Sequence, residues 1–482
     1  MSESLRKKTI GNIGWNSLGN ILVQGIQFSL TIIIARQLVP STYGLIAMIA
    51  IFIDIAKTFV DSGLGFALIQ KQERNSVDYS TVFVSNIFLS TILYLALWII
   101  SPFIAAFYNE PILESIIKWI GLNIIINSVV IVHRSYMQIN HNFKNQSIII
   151  IISVLISGVF GLYFAYYGYG IWALVIQSLS YSIIEAILFW FISKLNISLY
   201  FSYTSFKQIF RFGVRVLAAS MINTIYNNIY GLFIGKVYSA TDLGLYSRAN
   251  AFSQFVNMKI GAIIASSTFP ILCEYQDNNT ILKNYYLKLT RVTMFITIPI
   301  TVIVAVLAKP LVVVLLTEKW SISANYMNIL SFAFMWFPVR NLSSNLLIAI
   351  GRADLNMRSE MVVKLIGITI LVMTLPFGLK FLCWGLLLFG LLDVIILFNY
   401  VKVVIETSIF ELFRNITPII FLGFTMSLVM YFASFVFTSN LTQILFGSIL
   451  GVATYIGLSK LFYIRELEII TTFILKSIKK HE

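Results

Sequence analysis

Residues 80–105 read STVFVSNIFLSTILYLALWIISPFIA, a run of twenty-six residues without a charged side chain. A helix needs about 20 such residues to cross the hydrocarbon core of a bilayer. The rest of the chain has the same character, since 58% of its 482 residues are hydrophobic and only 11% are charged. A soluble domain carries about 25% charged residues. The chain is therefore predicted to be an all-α polytopic membrane protein.

About fourteen apolar stretches of this kind follow one another along the chain. The first is longer than the apolar region of a signal peptide and lacks a small-residue cleavage pattern, so we expect it to be a permanent span. The predicted spans are 12–34, 43–62, 80–105, 113–133, 146–167, 170–192, 213–235, 246–270, 290–316, 326–350, 358–378, 381–401, 415–437 and 441–460.

The loops between these spans alternate between basic and non-basic. Every second loop, counted from the N-terminus, is rich in Lys and Arg, with twenty-three such residues in this set and five in the other. Cytoplasmic loops carry this excess in membrane proteins, so both termini are predicted to be cytoplasmic. The asymmetry also accounts for the net charge of +14, which therefore does not indicate a nucleic-acid partner.

An internal sequence repeat divides most of the chain into two similar parts. Residues 34–45, IARQLVPSTYGL, align with 234–245, IGKVYSATDLGL, and weaker matches continue at slightly larger offsets across six spans. Because matched connectors fall on the same side of the membrane, the repeat is parallel, as in transporters built of two facing bundles. The alternative is a duplicated scaffold that transports nothing. The predicted parts are a first lobe at 1–200, a second lobe at 201–405, spans 13 and 14 at 406–460, and a tail at 461–482.

The tail after Lys460 alternates apolar and charged residues. This pattern predicts a helix with one apolar face. Such a helix lies on the cytoplasmic leaflet or remains a solvated tail, and the sequence leaves both open.

Four segments resemble the signatures of one transporter family. ARQLVPSTYGL at 35–45 resembles its first loop, and DSGLGFALIQ at 61–70 is similar to its segment after span two. GYGIWALV at 168–175 and GLYSRA at 244–249 match two further segments. The chain thus resembles the Wzx-type polysaccharide exporters of the multidrug/oligosaccharidyl-lipid/polysaccharide (MOP) superfamily, nearest the lipopolysaccharide and colanic-acid branch.

The resemblance implies a flippase of the bacterial inner membrane. Its substrate would be an undecaprenyl-pyrophosphate-linked oligosaccharide, moved from the cytoplasmic to the periplasmic leaflet by alternating access. The expected partners are this lipid-linked substrate, membrane lipids, and the polymerase and chain-length machinery of polysaccharide synthesis. The resemblance identifies the family and leaves the sugar undetermined.

Ionisable residues inside the spans are the candidates for a functional site. Placing each one at the bilayer centre costs about 2.5–3.5 kcal/mol even on lenient scales. Glu114 with Lys118, and Glu360 with Lys364, are spaced four apart and can neutralise each other on one helix. Asp54, Lys57 and Asp61 share a face of span two. The others are Glu185, Arg248, Lys259, Arg340 and Asp393.

Cations that have no acid on their own span point to phosphate. Arg248 and Lys259 lie three helical turns apart with no acid between them, on a span that also carries Ser253, Gln254 and Asn257. Such a span is expected to face water or an acid on another helix. Because guanidinium and ammonium groups bind phosphate oxygens, the predicted substrate-binding residues are Arg248, Lys259, Arg340 and Lys57. The alternative is pairing with acids of other helices, namely Glu185, Asp393 or Asp54.

Energy coupling and catalysis complete the expectations. A proton gradient would act through the acids of the spans, or removal of substrate on the far side would drive transport; the ion-coupling candidates are Asp54, Asp61, Glu185 and Asp393. Three histidines without metal-ligand spacing and two cysteines predict no metal site. There is no phosphate loop for a nucleotide and no catalytic triad pattern, so no cofactor and no enzyme activity are expected.

Two other functions fit a chain of this composition. A drug or cation antiporter of the same superfamily would favour acids over cations at its site. A polymerase or glycosyltransferase acting on lipid-linked sugars would need a large outer loop with catalytic residues, and the longest such loop here has about ten residues.

Overall fold

A computed structural model describes residue 19 and residues 22–479, and these residues form helices joined by short connections. No β-strand occurs in this part of the chain. The all-α fold predicted from the sequence is thereby confirmed. The chain divides into two compact units, Met1–Gly244 and Leu245–Glu482. The predicted lobe boundary at 200/201 and the separate assignment of 406–460 stay predictions.

The first unit is built from long helices, and the connections between them are mostly two to nine residues long. One turn of wider π-helix, Asp61–Gly65, interrupts the second long helix of the unit. The helices are α1 (22–37), α2 (Pro40–Val60), α3 (Phe66–Gln70), α4 (Ser76–Tyr108), α5 (Ile112–Ile139), α6 (Phe143–Tyr166), α7 (Ile171–Ser193) and α8 (Tyr203–Val237).

The second unit begins within the first turns of α9 and contains the remaining helices. They are α9 (Ala240–Glu274), α10 (Asn279–Val306), α11 (Ala308–Leu316), α12 (Ser321–Phe334), α13 (Phe337–Ala349), α14 (Ala353–Thr374), α15 (Leu379–Val404), α16 (Ile409–Val436), α17 (Asn440–Leu461) and α18 (Arg465–Lys479).

Eleven helices in the described part of the chain are long and apolar enough to cross a membrane. They are the continuous segment Pro40–Gln70, α4, α5, α6, α7, α9, α10, Ala353–Phe377, α15, α16 and α17. Their outward faces are apolar, as lipid contact requires: Phe88, Phe103 and Phe435 are each about two-thirds exposed or more.

The other three predicted spans have identifiable positions. Span 1, at 12–34, lies partly outside the described residues, and its remainder is in α1. Span 7 falls within α8, a helix of 35 residues with several charges near its start. Span 10, at 326–350, is divided between α12 and α13, with a break ahead of Pro338. The count of fourteen therefore stays a prediction.

The helix boundaries follow the internal sequence repeat. α2 and α9 begin at Pro40 and Ala240, and α7 and α15 begin at Ile171 and Leu379. Gly170 and Gly378, which precede α7 and α15, both adopt positive φ angles of 56° and 97°. Glycine tolerates this conformation at no steric cost. The repeat relates spans 1–6, the first group, to spans 7–12, the second group. The fourth and sixth spans are α5 and α7 in the first group, and α12–α13 and α15 in the second.

Unit 2 has a large apolar core formed by α10, α13, α15 and α16. α18 packs against this core through Ile464, Leu467 and Ile470, at and after the turn that starts it. Glu466 of α18 is buried and accepts two hydrogen bonds from Arg291 of α10, Nε to Oε1 at 2.6 Å and a terminal nitrogen to Oε2 at 2.9 Å. The predicted tail helix is therefore present and is anchored to the bundle at its start.

Candidate functional site

Among the described residues of unit 1, Glu185 is one of the two most deeply buried acids, with Asp78, and it has a cationic partner on another helix. Its side chain, on α7, is 1% exposed. A terminal nitrogen of Arg134, on α5, donates to Glu185 Oε1 at 2.7 Å, and the Tyr181 hydroxyl donates to the same oxygen at 3.2 Å. The guanidinium of Arg134 also lies 5.7 Å from the centre of the Phe189 ring. Burial of Glu185 as an anion is thereby balanced by a charge at hydrogen-bond distance.

Two of the predicted site residues lie beside this pair. Asp61, in the π-turn, is close enough to Arg134, Lys57 and Glu185 for their charges to act on its carboxylate. Lys57 is half-buried one turn earlier on α2. The structure thus places Asp61 close to Lys57, Arg134 and Glu185, and this cluster of four side chains carries two positive and two negative charges.

Asp54 lies one turn before Lys57 on α2, at the contact between α2 and α8. Asn228 Nδ2 donates to Asp54 Oδ2 at 3.2 Å. One turn further along α2, the hydroxyls of Thr58 and Thr224 are 2.8 Å apart. These polar contacts tie α8 to α2 within unit 1.

Arg340 is enclosed by acids of two other helices. Its Nε lies 2.8 Å from Asp393 Oδ2 of α15, and a terminal nitrogen is hydrogen-bonded to Glu360 of α14. Lys364 Nζ lies 4.0 Å from the other oxygen of Glu360. The pairing of Arg340 with Asp393, which the sequence left as the alternative, is present in the structure. A role for Arg340 in substrate binding stays a prediction.

Arg248 and Lys259 occupy one face of α9, and the helix buries the opposite face. Lys259 is exposed, with its ammonium 6.0 Å from the centre of the Phe255 ring. Ser253 and Asn257, about half a turn around the helix, are buried and bond to Ser331 and Thr301. These two polar residues are therefore satisfied by neighbouring helices of unit 2, and the expectation that the span faces water or an acid on another helix stays a prediction.

The two pairs expected within single helices follow their predictions. Lys118 Nζ lies 2.6 Å from Glu114 Oε1 on α5, and both side chains are partly exposed. Within residue 19 and residues 22–479, no group of three His, Cys, Asp or Glu side chains could hold a metal ion.

The comparison with protein families decides the identity of the chain. A family model described as polysaccharide biosynthesis protein matches residues 33–325, more than half of the chain. The chain belongs to this polysaccharide biosynthesis family. It is 26% identical over 361 residues to the lipopolysaccharide biosynthesis protein WzxC of Escherichia coli (strain K12), a match covering 74% of this chain and 73% of WzxC.

Solved structures agree on the fold. The structure of the lipid II flippase MurJ in an inward closed conformation superposes with a TM-score of 0.73 at 16% identity, over 94% of this chain and 99% of that one. An inward-facing multidrug resistance MATE family transporter of the MOP superfamily gives 0.61 at 14% identity, over 80% and 98%. The family match confirms the predicted resemblance to Wzx-type exporters, and the solved structures show that the chain shares its fold with MurJ and with the MATE family transporter.

Sequence reasoning missed the most central residue of the unit 1 cluster. The predicted span 113–133 ends just before Arg134 and so leaves it in a basic loop. In the structure α5 continues to Ile139 and holds Arg134 inside the helix. The four-residue spacing that reveals pairs on one helix gives no signal for a pair formed between α5 and α7. The parallel repeat was the available signal, because Arg340 occupies the fourth span of the other group.

Proposed function

We propose that this member of the polysaccharide biosynthesis family is a flippase. It moves undecaprenyl-pyrophosphate-linked oligosaccharide repeat units from the cytoplasmic to the periplasmic leaflet of the bacterial inner membrane by alternating access. The product supplies O-antigen, capsule or exopolysaccharide. The family match over residues 33–325 carries the proposal, and the fold shared with transporters supports it.

The charges inside the helices support a phosphate-bearing substrate. Arg248 and Lys259 share one face of α9, opposite the face that carries the buried Ser253. We propose that Arg248 and Lys259 bind the pyrophosphate and that Arg340 and Lys57 are further phosphate-binding residues, since guanidinium groups bind phosphate oxygens through two parallel hydrogen bonds. The undecaprenyl chain remains in lipid. A polysaccharide polymerase and chain-length proteins are the proposed partners.

The acids of the same helices are the proposed coupling groups. Asp54, Asp61, Glu185 and Asp393 lie within membrane helices, where ionisable residues mark ion and substrate pathways. Each has a donor or a charge of opposite sign close by. An antiporter for organic cations would need acids available to its cargo, and the engagement of Glu185 and Asp393 by arginines favours the flippase.

The test is restoration of polysaccharide export. A host that lacks its own flippase and carries the polysaccharide genes neighbouring this one is scored for surface polysaccharide with and without the protein. Restored export supports the flippase. Lipid-linked oligosaccharide that stays on the cytoplasmic leaflet, with the protein correctly inserted, contradicts it and favours the antiporter.

Charge reversal at one residue then tests the site. We expect Arg248→Glu to abolish export, because a carboxylate repels the pyrophosphate that the arginine would bind. Membrane insertion, followed by immunoblot of the membrane fraction, should be unchanged. The matched control is Lys309→Glu, a reversal at an exposed residue of α11, which should retain export. Full export by Arg248→Glu would remove Arg248 from the site.

A further inference from the structure

The two groups of spans contain the same arginine–carboxylate pair. In each group an arginine of the fourth span contacts an acid of the sixth: Arg134 with Glu185, and Arg340 with Asp393. The acids are at equivalent positions, since each is the fifteenth residue of its helix, counted from Ile171 and from Leu379. The arginines are at similar positions too: the offset of 208 residues between Ile171 and Leu379 takes position 134 to position 342, within about one helical turn of Arg340. The repeat has therefore kept an interhelical pair although few individual residues match.

A purely structural role does not account for charged groups at these positions. Replacing a buried ion pair by apolar residues of similar volume is often neutral or stabilising. Glu185 and Asp393 are nevertheless acids in helices whose neighbours are mostly apolar, and they are 1% and 9% exposed. Ionisable residues within spans are functional by default. Their duplication at equivalent positions indicates one function carried out twice.

The arginines differ from the acids in being partly accessible. The side chains of Arg134 and Arg340 are 35% and 20% exposed, although Glu185 and Asp393, the acids of the sixth spans that they contact, are buried. A guanidinium has five N–H donors. Among the described residues, Arg134 Nε is a buried donor without a hydrogen-bond partner, and the hydrogen bond to Glu185 uses a terminal nitrogen. Donors of Arg134 therefore remain for a second oxyanion.

The charge balance of each cluster fits a ligand that competes with the carboxylate. In unit 1, Arg134 and Lys57 face Asp61 and Glu185. In unit 2, Arg340 and Lys364 face Glu360 and Asp393. Each cluster is neutral without a ligand. Phosphate offers the same planar, bidentate contact to guanidinium as a carboxylate does, and it carries more charge.

We propose that Arg134 with Glu185, and Arg340 with Asp393, are two copies of one phosphate-binding element. The carboxylate holds the guanidinium in position until a phosphate group of the substrate replaces it. The identity of that substrate rests on the proposed function, whereas the phosphate chemistry does not. Arg134 thereby becomes a binding residue of unit 1 in addition to those predicted from the sequence.

Binding of inorganic pyrophosphate to the purified full-length protein in lipid nanodiscs tests this element. Glu185→Gln removes the competing charge and keeps the shape of the side chain, so pyrophosphate should bind about fivefold more tightly, a change of about 1 kcal/mol. Arg134→Gln should weaken binding about tenfold. Asp393→Asn should tighten binding less than Glu185→Gln does, because Glu360 still contacts Arg340. Isothermal titration calorimetry provides the measurement.

A matched control lies on the same helix as Arg134. Glu114→Gln breaks the exposed pair with Lys118 and should leave pyrophosphate affinity unchanged. The charge-swapped double variant Arg134→Glu with Glu185→Arg separates binding from structure. A structural tie would be restored by the swap, whereas the binding element would not be, because the guanidinium then projects from a different helix.

Two results would overturn the inference: pyrophosphate affinity unchanged in both Glu185→Gln and Asp393→Asn, or wild-type affinity and export in the charge-swapped variant. Should Glu185→Gln fail to insert, Asp393→Asn alone decides. The assay does not depend on the sugar or on export. Failure of the export test with the expected binding changes would contradict the flippase and leave the phosphate-binding element standing.

Discussion

Gly44 and Gly244 are aligned by the internal sequence repeat, and each packs against the helix start that contains the other. A Cβ at Gly44 would overlap the backbone carbonyl of Ala240, and a Cβ at Gly244 would overlap that of Pro40. Both glycines lie within the first turns of their helices, α2 and α9. The close approach of these helix starts therefore depends on the missing side chains, as small residues permit at helix contacts in membranes.

We expect Gly44→Ala to destabilise the protein by about 1–3 kcal/mol, the usual cost of overpacking, because the obstructing atoms are backbone and cannot rotate away. The apparent melting temperature of the purified protein in detergent should fall. The control is Gly25→Ala in α1, where a Cβ meets no atom within 4 Å. That change should leave the melting temperature unchanged or raise it, since alanine favours helix. An equal response of the two variants would contradict the close contact.

The partners of individual charges followed directly from the sequence only where both share a helix, whereas the pair Arg340–Asp393 was one of several alternatives. The pair Glu114–Lys118 follows from its spacing, and the structure places its atoms 2.6 Å apart. Arg134 and Arg340 find their acids on other helices, and which helices touch is decided by packing of the whole bundle rather than by local sequence. Ser253 illustrates the same limit, because its burial depends on α12.

At the scale of elements, α18 depends on one charged contact. Arg291 and Glu466 form two parallel hydrogen bonds, and Glu466 is 3% exposed. Hydrogen bonds between charged groups contribute about 1.5–3 kcal/mol, and a buried charge that loses its partner is unfavourable. This contact, together with Leu467 and Ile470, holds the start of α18 on the core of unit 2.

Glu466→Gln should therefore release α18 from α10. The amides of residues 465–472 should exchange with deuterium faster in the variant than in the parent protein, because a released helix frays. Glu468→Gln is the matched control, since Glu468 lies half a turn away on the exposed face of the same helix. Protection that is the same in all three proteins would show that the apolar contacts alone hold α18.

Span lengths were readable from the sequence, but breaks within them were not. The predicted span 326–350 is mostly apolar, yet it contains two helices, α12 and α13. Pro338 and the bulky Trp336 stand at the break, and a proline removes one backbone donor and crowds the preceding turn. A helix bends or stops at such a residue according to what packs against it, so hydropathy alone gives one span.

For the whole molecule, the all-helical membrane fold followed from composition and run length, since lipid leaves the backbone no alternative to the helix. The number of crossings and the orientation remain predictions from loop charge. Three segments decide them: α1, α8 and the pair α12–α13, which lie outside the eleven clear spans.

Single cysteines on either side of α8 and of α12–α13 test the crossings and the orientation together. In a background with Cys273 and Cys383 replaced by alanine, Leu199→Cys and Arg352→Cys are predicted to face the cytoplasm, and an impermeant maleimide added to intact cells should not label them. Thr241→Cys and Glu318→Cys should be labelled, because their connectors belong to the non-basic set. After permeabilisation all four should react, since these positions are exposed.

Equal labelling of Leu199→Cys and Thr241→Cys in intact cells would mean that α8 does not cross, which would exclude fourteen spans. The reverse pattern at all four positions would invert the protein and place the basic loops outside.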